Sequence, residues 1–490
     1  MVNWLIKKEK QIFLILLLAL ILRLVALNQS LWLDEAIGAI AVRDFSYTKI
    51  LTEFLKFDNH PPLYYFALKF WTNIFGYSEA ALRSLSILFG LGVIYLTYKI
   101  AREINPVKNN FYPILTALLI STSQFHIYYS QEARMYSMAA FLATLLIFLL
   151  LKILKYNKIH FWLGFSLTLA LLISTDYMPL FLLPLLVFTP LVYKKNPKWW
   201  VGLATTLLPL LLLAIFWFPT FKIQSERGNW LINTLPAWKS VAGGASAKQA
   251  ILVWTKFVLG RISIPNKLIY SLLIFLASAP FIIAFASAIA KINKGFIVLV
   301  LWLFTPLIFG FIVSFWIPAF IYFRFLFILP AFYLIAAWGV SRYKFKPVRN
   351  TLVILLLGIN LIGWFIYIID KNQQREDWKN ATRFVEESAK KSEVVIFTYP
   401  APFAPYRWYE KGIVDAVGVA DSISANKEAT INNTKEAIKG KNAVFYFEYL
   451  SDLSDPNGYV RDTLEREGYQ LDSIYNFTGT GQIYYLVKAK

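Results

Sequence analysis

With 490 residues, of which 58% are hydrophobic and only 16% charged, the chain is too apolar for a single water-soluble core, because a soluble domain is about a quarter charged. Its net charge of +20 would suggest nucleic acid only with a recognisable binding module, and none is present; Lys and Arg instead gather in short stretches between apolar runs, as positive-inside loops do. The absence of cysteine excludes disulfide frameworks, thiolate metal sites and cysteine nucleophiles.

Apolar runs of roughly 17–25 residues predict membrane-spanning helices. In chain order they cover about 11–27, 80–101, 111–127, 135–154, 160–176, 178–193, 199–219, 267–290, 295–316, 321–340 and 350–369, about eleven spans in all. The first follows Lys7, Lys8 and Lys10. It is read as a retained helix rather than a cleaved signal, because no small-residue cleavage site follows it and many more spans do. Basic residues then fall on alternate connections: Arg102 and Lys108, then Lys152, Lys155 and Lys158, then Lys194, Lys195 and Lys198, then Lys291 and Lys294, then Arg342, Lys344, Lys346 and Arg349. These loops and the N-terminus are expected in the cytoplasm, and an odd number of spans puts the C-terminus outside a plasma or inner membrane.

Two outer segments are long, 28–79 and 220–266, and loops of that length in a compact protein tend to be functional. The second carries Gly243-Gly244 and could serve as a mobile lid. After Asp370 the composition turns charged and turn-rich. A helix is expected over 375–391, strands over 394–398, 443–449 and 483–487, and further helices over 427–439 and 457–467. The expected fold is a membrane all-α bundle (1–370) followed by a small extracytoplasmic α/β domain (371–490).

Chemistry-bearing residues cluster in the outer segments. Asp34 and Glu35 stand a few residues beyond the first apolar run. An unpaired carboxylate near hydrocarbon costs about 2.5–3.5 kcal/mol, so its presence marks function by default; helix capping is the plainer alternative. Asp58-Asn59-His60-Pro61-Pro62-Leu63-Tyr64-Tyr65 reads as a rigid turn entering an aromatic interfacial helix. His60 there could meet a metal, a phosphate or an acceptor. Gln131-Glu132-Ala133-Arg134-Met135-Tyr136 is expected at the outer end of a span, with Glu132 and Tyr136 one turn apart on a shared helix face. Arg324 lies in an aromatic, otherwise apolar run, where a lone guanidinium calls for an anion such as phosphate. Arg23 and Arg83 are read as structural.

Trp32-Leu33-Asp34-Glu35, then His60-Pro61-Pro62-Leu63-Tyr64-Tyr65, then Gln131-Glu132-Ala133-Arg134-Met135-Tyr136, in that order and on one side of the membrane, resemble the C-type glycosyltransferase superfamily. Within it they are most similar to the family 39-like group of protein O-mannosyltransferases and lipid A aminoarabinose transferases. The resemblance covers about residues 1–220 and weakens toward 370, and Arg375-Glu376-Asp377-Trp378 is similar to the start of the extracytoplasmic domain in some members. It implies a polyprenyl- or dolichyl-phosphate sugar donor, Asp34 as the base and outer arginines as phosphate holders. Because members differ in metal dependence and in acceptor, no cofactor is required and a divalent metal stays open.

A sugar on a lipid phosphate already has a good leaving group. The site must therefore supply positive charge to the departing phosphate and a base for the acceptor. Arg324 and Arg134 suit the first task and Asp34 the second. Glu35, whose side chain should diverge from that of Asp34, would orient the loop or the acceptor, or serve a metal. His60, Tyr64, Glu132 and Tyr136 would bind substrate or shape the site. A single base predicts inversion, since retaining enzymes need two close carboxylates. The expected partners are a lipid-linked sugar donor, the bilayer and an extracytoplasmic acceptor (lipid, glycan or protein). The competing readings are a non-catalytic membrane scaffold and a transporter of the lipid carrier, although paired repeats and interrupted midplane helices, the marks of a transporter, are not seen.

Overall fold

The computed structural model describes residues 2–105, 110–235, 242–290 and 292–489, and for 2–9 the backbone alone. Lys108 and Lys291, and the side chains of Lys7 and Lys8, lie outside the described residues. The chain forms two compact units. The first comprises Met1–Leu27, Ser46–Arg227 and Ala242–Ile369; the second comprises Asn28–Phe45, Gly228–Val241 and Asp370–Lys490.

The first unit is a helical bundle. Seven of its described helices are long and apolar enough to cross a membrane: Glu79–Ile104, Tyr136–Tyr156, Pro197–Thr234, Lys267–Ile289, Lys294–Val313, Tyr322–Ser341 and Lys346–Ile369. The shorter apolar helices Phe111–Thr122, Ile159–Ile173 and Met178–Val192, with the N-terminal helix Val2–Leu24, fill the remaining expected positions. Side-chain caps set several boundaries. Ser78 accepts from the Ala81 amide, Ser123 from His126, Asn266 from Leu268 and Ile269, and Asn293 from Phe296, each satisfying amides that have no partner inside the helix. Within the spans, Thr97, Thr116 and Thr144 return their hydroxyls to carbonyls four residues back, so these polar groups stay satisfied away from water.

Packing separates the helices. In Tyr322–Ser341, 89% of the apolar window is buried, against 11% in Pro197–Thr234, so the former is central and the latter faces outward. Gly339 allows a close crossing: a Cβ there would stand 1.7 Å from the Ala284 carbonyl oxygen. Small residues at helix crossings are how membrane helices approach each other. Asn360 ties three helices, donating to Leu119 O at 2.9 Å and accepting from the Tyr333 hydroxyl at 3.1 Å.

The described parts of 220–266, the segment expected as a lid, are largely helical. The helix begun at Pro197 continues to Thr234 and a second runs Ala247–Leu259, capped by Ser246. Gly243 has φ +94° and packs against Phe320 O, where a Cβ would come within 2.7 Å, so it serves a close approach. One expectation is corrected: Glu132 and Tyr136 do not share a helix face. A short helix Gln124–Ser130 ends before them and the next begins at Tyr136, leaving Gln131–Met135 as a turn.

The second unit is built on a five-stranded sheet, β1 (Glu393–Phe397), β2 (Asp415–Gly418), β3 (Ala443–Phe447), β4 (Tyr469–Asn476) and β5 (Gln482–Lys488), in the order β2-β1-β3-β5-β4. β1 runs parallel to β2 and β3, while β5 is antiparallel to β3 and β4. Alternate side chains feed two cores. Val395, Phe397, Phe445 and Phe447 pack with Trp378, Phe403 and Tyr406, whereas Val394, Ile396 and Val444 pack with Val460 and Leu464. This is the period-two pattern of a sheet covered on both faces. The helices Trp378–Ser388, Lys427–Ala437 and Tyr459–Arg466 lie where the sequence placed them. Residues 28–45, expected with the bundle, group with this unit.

Candidate functional site

In the first unit, charged groups converge on the turn before the helix Leu63–Phe75. Pro61 and Pro62 stiffen that turn, and the Leu63 amide donates to Ser174 O at 2.9 Å. Gln224 holds it from the far side, its amide nitrogen donating to the carbonyls of Leu55 and Asp58 at 2.7 Å and of His60 at 3.2 Å. The Tyr177 hydroxyl in turn donates to Gln224 at 2.7 Å. The Asp58 side chain is 10% exposed. One carboxylate oxygen meets His60 Nδ1 at 2.6 Å and the other accepts from the Tyr65 hydroxyl at 2.9 Å. Burial pushes the Asp58 carboxyl up. The His60 charge and hydrogen bond, the nearby Arg134 and the Tyr65 hydroxyl outweigh it and hold the group below the ordinary carboxylate value. An ionised carboxylate only accepts, so His60 Nδ1 carries the hydrogen and the ring is oriented by it.

Arg134 is buried and donates from Nη1 to the Tyr65 hydroxyl at 3.3 Å. Asp176, also buried, accepts from the Met178 amide at 3.0 Å and lies within electrostatic reach of His60, Arg324 and Arg134. Arg324 sits on the tight turn Tyr322–Ile328, half-buried, with Nη1 donating to Ala319 O at 3.3 Å. Tyr136 connects the two arginine segments through rings, meeting Phe323 at 5.5 Å and Tyr129 at 5.6 Å. Tyr64 is buried, its hydroxyl 3.4 Å from Ser86 Oγ, which donates to Arg134 O at 3.4 Å. Glu132 is buried in the same turn as Arg134. His60, Tyr64, Arg134, Tyr136 and Arg324 are therefore linked, directly or through one neighbour. Asp58, Asp176 and Gln224 join them without having been singled out from sequence. The signal for Asp176 was available: an acidic residue closing an apolar run.

Arg23 and Arg83 bond to main-chain carbonyls of the bundle. Arg23 donates to Ala19 O, Ser121 O and His126 Nδ1, and Arg83 to Leu27 O.

In the second unit, Asp34 and Glu35 open the helix Leu33–Asp44, where its dipole favours negative charge. Successive helical residues diverge by about 100°. Glu35 points inward, fully buried beside Arg375 with Nε–Oε2 at 3.9 Å, while Asp34 stays partly exposed. Tyr449 lies near both Glu376 and Asp34. Burial first, and these acids second, push its hydroxyl well above the ordinary phenol value. Among the described residues no group of three or more His, Asp or Glu is gathered as a metal would need.

Residues 59–237 match the family model described as dolichyl-phosphate-mannose-protein mannosyltransferase. No curated protein matches the chain in sequence. Among solved structures, ArnT from Cupriavidus metallidurans in the apo state aligns over 98% of both chains with TM-score 0.58 at 10% identity. The same protein bound to undecaprenyl phosphate gives 0.57 at 11% over 98% of both. The Archaeoglobus fulgidus oligosaccharyltransferase tethered with an acceptor peptide gives 0.54 at 12%, over 99% of this chain and 74% of that one. Identities this low speak for fold rather than chemistry. The likeness read from three short motifs thus extends through the architecture of the whole chain, a multi-pass membrane protein with the C-type glycosyltransferase fold.

Proposed function

We propose that the protein is an integral-membrane glycosyltransferase that moves a sugar from a polyprenyl-phosphate carrier to an extracytoplasmic acceptor. The observation that carries this reading is the gathering of Arg134, Arg324 and His60 around Asp176 in a fold that ArnT, solved with undecaprenyl phosphate, shares over nearly its full length. Two guanidiniums and an imidazole on apolar, partly buried ground favour an anion. A phosphate matches their planar donor geometry.

In the step proposed, an acceptor hydroxyl attacks the anomeric carbon as the bond from that carbon to the phosphate oxygen breaks. The electron pair leaves with the phosphate, whose growing charge Arg134 and Arg324 stabilise. The acceptor's proton passes to a carboxylate base, the role that the motif resemblance gives to Asp34. One displacement inverts the anomeric centre. Asp58 keeps His60 oriented, and Tyr64, Glu132 and Tyr136 hold the arginine-bearing turn in shape.

Transfer of labelled sugar from polyprenyl-phosphate donors in membranes tests this. Asp34→Asn, inserted at wild-type level, should lose roughly 100- to 10,000-fold in rate, the usual worth of a positioned base. Undiminished transfer would remove Asp34 from the mechanism, and transfer by neither protein from any such donor would favour the scaffold reading.

A further inference from the structure

The segment that carries Asp34 is part of the second unit, not of the bundle whose helices flank it in sequence. Its anchors come from residues more than three hundred positions away. The Arg375 amide donates to Gln29 Oε1 at 2.9 Å, Ser30 Oγ donates to Glu376 O, and the Leu31 amide donates to the Tyr409 hydroxyl at 2.8 Å. Leu33 packs on the core of Trp378, Phe403 and Tyr406, and Arg43 lies over the Trp408 ring at 4.8 Å. The Glu35–Arg375 pair is sealed, with side chains 0% and 1% exposed. Glu376, next in sequence, accepts from the Tyr449 hydroxyl at 3.0 Å and from Trp378 Nε1 at 2.7 Å, so the backbone that bears Arg375 is itself fixed to the sheet core.

We propose that Arg375 is a positioning residue that sets the helix start from which Asp34 acts. This rests on the assignment of Asp34 as base. A helix start loosened by losing its buried partner displaces the neighbouring carboxylate. Misplacement of about 1 Å can cost up to about 100-fold in rate.

The test uses the full-length protein in membranes or detergent with Arg375→Gln. Hydrogen exchange of the amides from Leu31 to Ala39 should quicken by at least roughly tenfold, because the buried Glu35 carboxylate loses the positive charge beside it. Exchange in β1 and β3 should stay as in the wild type. In the transfer assay kcat should fall roughly 10- to 100-fold while KM for the lipid-phosphate sugar stays within about twofold. Arg375→Lys, which keeps the charge, should recover part of the rate; it replaces the glutamine variant if β1 and β3 also loosen. Unchanged exchange at 31–39 overturns the anchoring, and quickened exchange with unchanged kcat overturns the positioning role. Full activity of Asp34→Asn overturns the base assignment instead, and the exchange data distinguish that outcome because they do not depend on transfer.

Discussion

Burial pushes the Asp58 carboxyl up, yet His60, Arg134 and Tyr65 together hold it below the ordinary carboxylate value. Its folded-state pKa lies below that of the unfolded chain, so the stability it contributes is present at neutral pH. That stability is lost as pH falls through the folded value, beginning near pH 4. Thermal midpoints measured from pH 7 downward should therefore drop for the wild type below about pH 4, more steeply than for Asp58→Asn; parallel curves would deny the group this role. The sequence displayed Asp34, Arg134 and Arg324 because each is a charge set in apolar surroundings, a contrast visible without coordinates. It did not display the link between Glu35 and Arg375, since no spacing rule joins residues so far apart. Asp58 was in view but went unassigned, because the bonds that give it a role, from His60 in the turn and Tyr65 in the helix after it, depend on how that turn folds back.

Hydropathy located each span of the bundle, since lipid demands length and apolarity of every crossing element. What it could not locate were the ends. The helix from Pro197 runs on past its apolar portion through Lys222, Glu226 and Arg227, where a window average reads loop. The span expected over 111–127 breaks at Ser123, whose side chain caps a new helix. In the second unit β2 escaped notice because it is four residues ending in Gly418, and β4 because its polar residues alternate with apolar ones on an exposed edge. The crossing at Gly339 gives a test at this scale. Gly339→Ala puts a methyl group against the backbone of Ala284 and should destabilise the folded protein by about 1–3 kcal/mol, as overpacking does. It should be read as a lowered melting temperature in detergent, and an unchanged one would mean that the two helices are free to part.

Across the whole molecule, the alternation of basic loops is a statement about orientation that a cysteine-free chain makes easy to examine. Single substitutions at exposed lysines, Lys158→Cys and Lys427→Cys, should react differently with a membrane-impermeant thiol reagent. Lys427→Cys should label on intact cells and Lys158→Cys only after permeabilisation, as positive-inside loops require. The reverse pattern would put the arginine cluster and the C-terminal domain in the cytoplasm and end the present reading of the donor.

The helix Pro197–Thr234 has 38 residues and so is about 57 Å long, nearly twice the roughly 30 Å depth of the hydrocarbon layer. Its apolar part ends before Lys222, so the surplus length is the polar part, which extends beyond the hydrocarbon. Gln224, far along that helix, is fastened to three carbonyls of the turn that bears Asp58 and His60. Through that one side-chain amide the polar end of the helix grips the main chain from which the His60 imidazole hangs, so a shift of that end would move the ring without touching it.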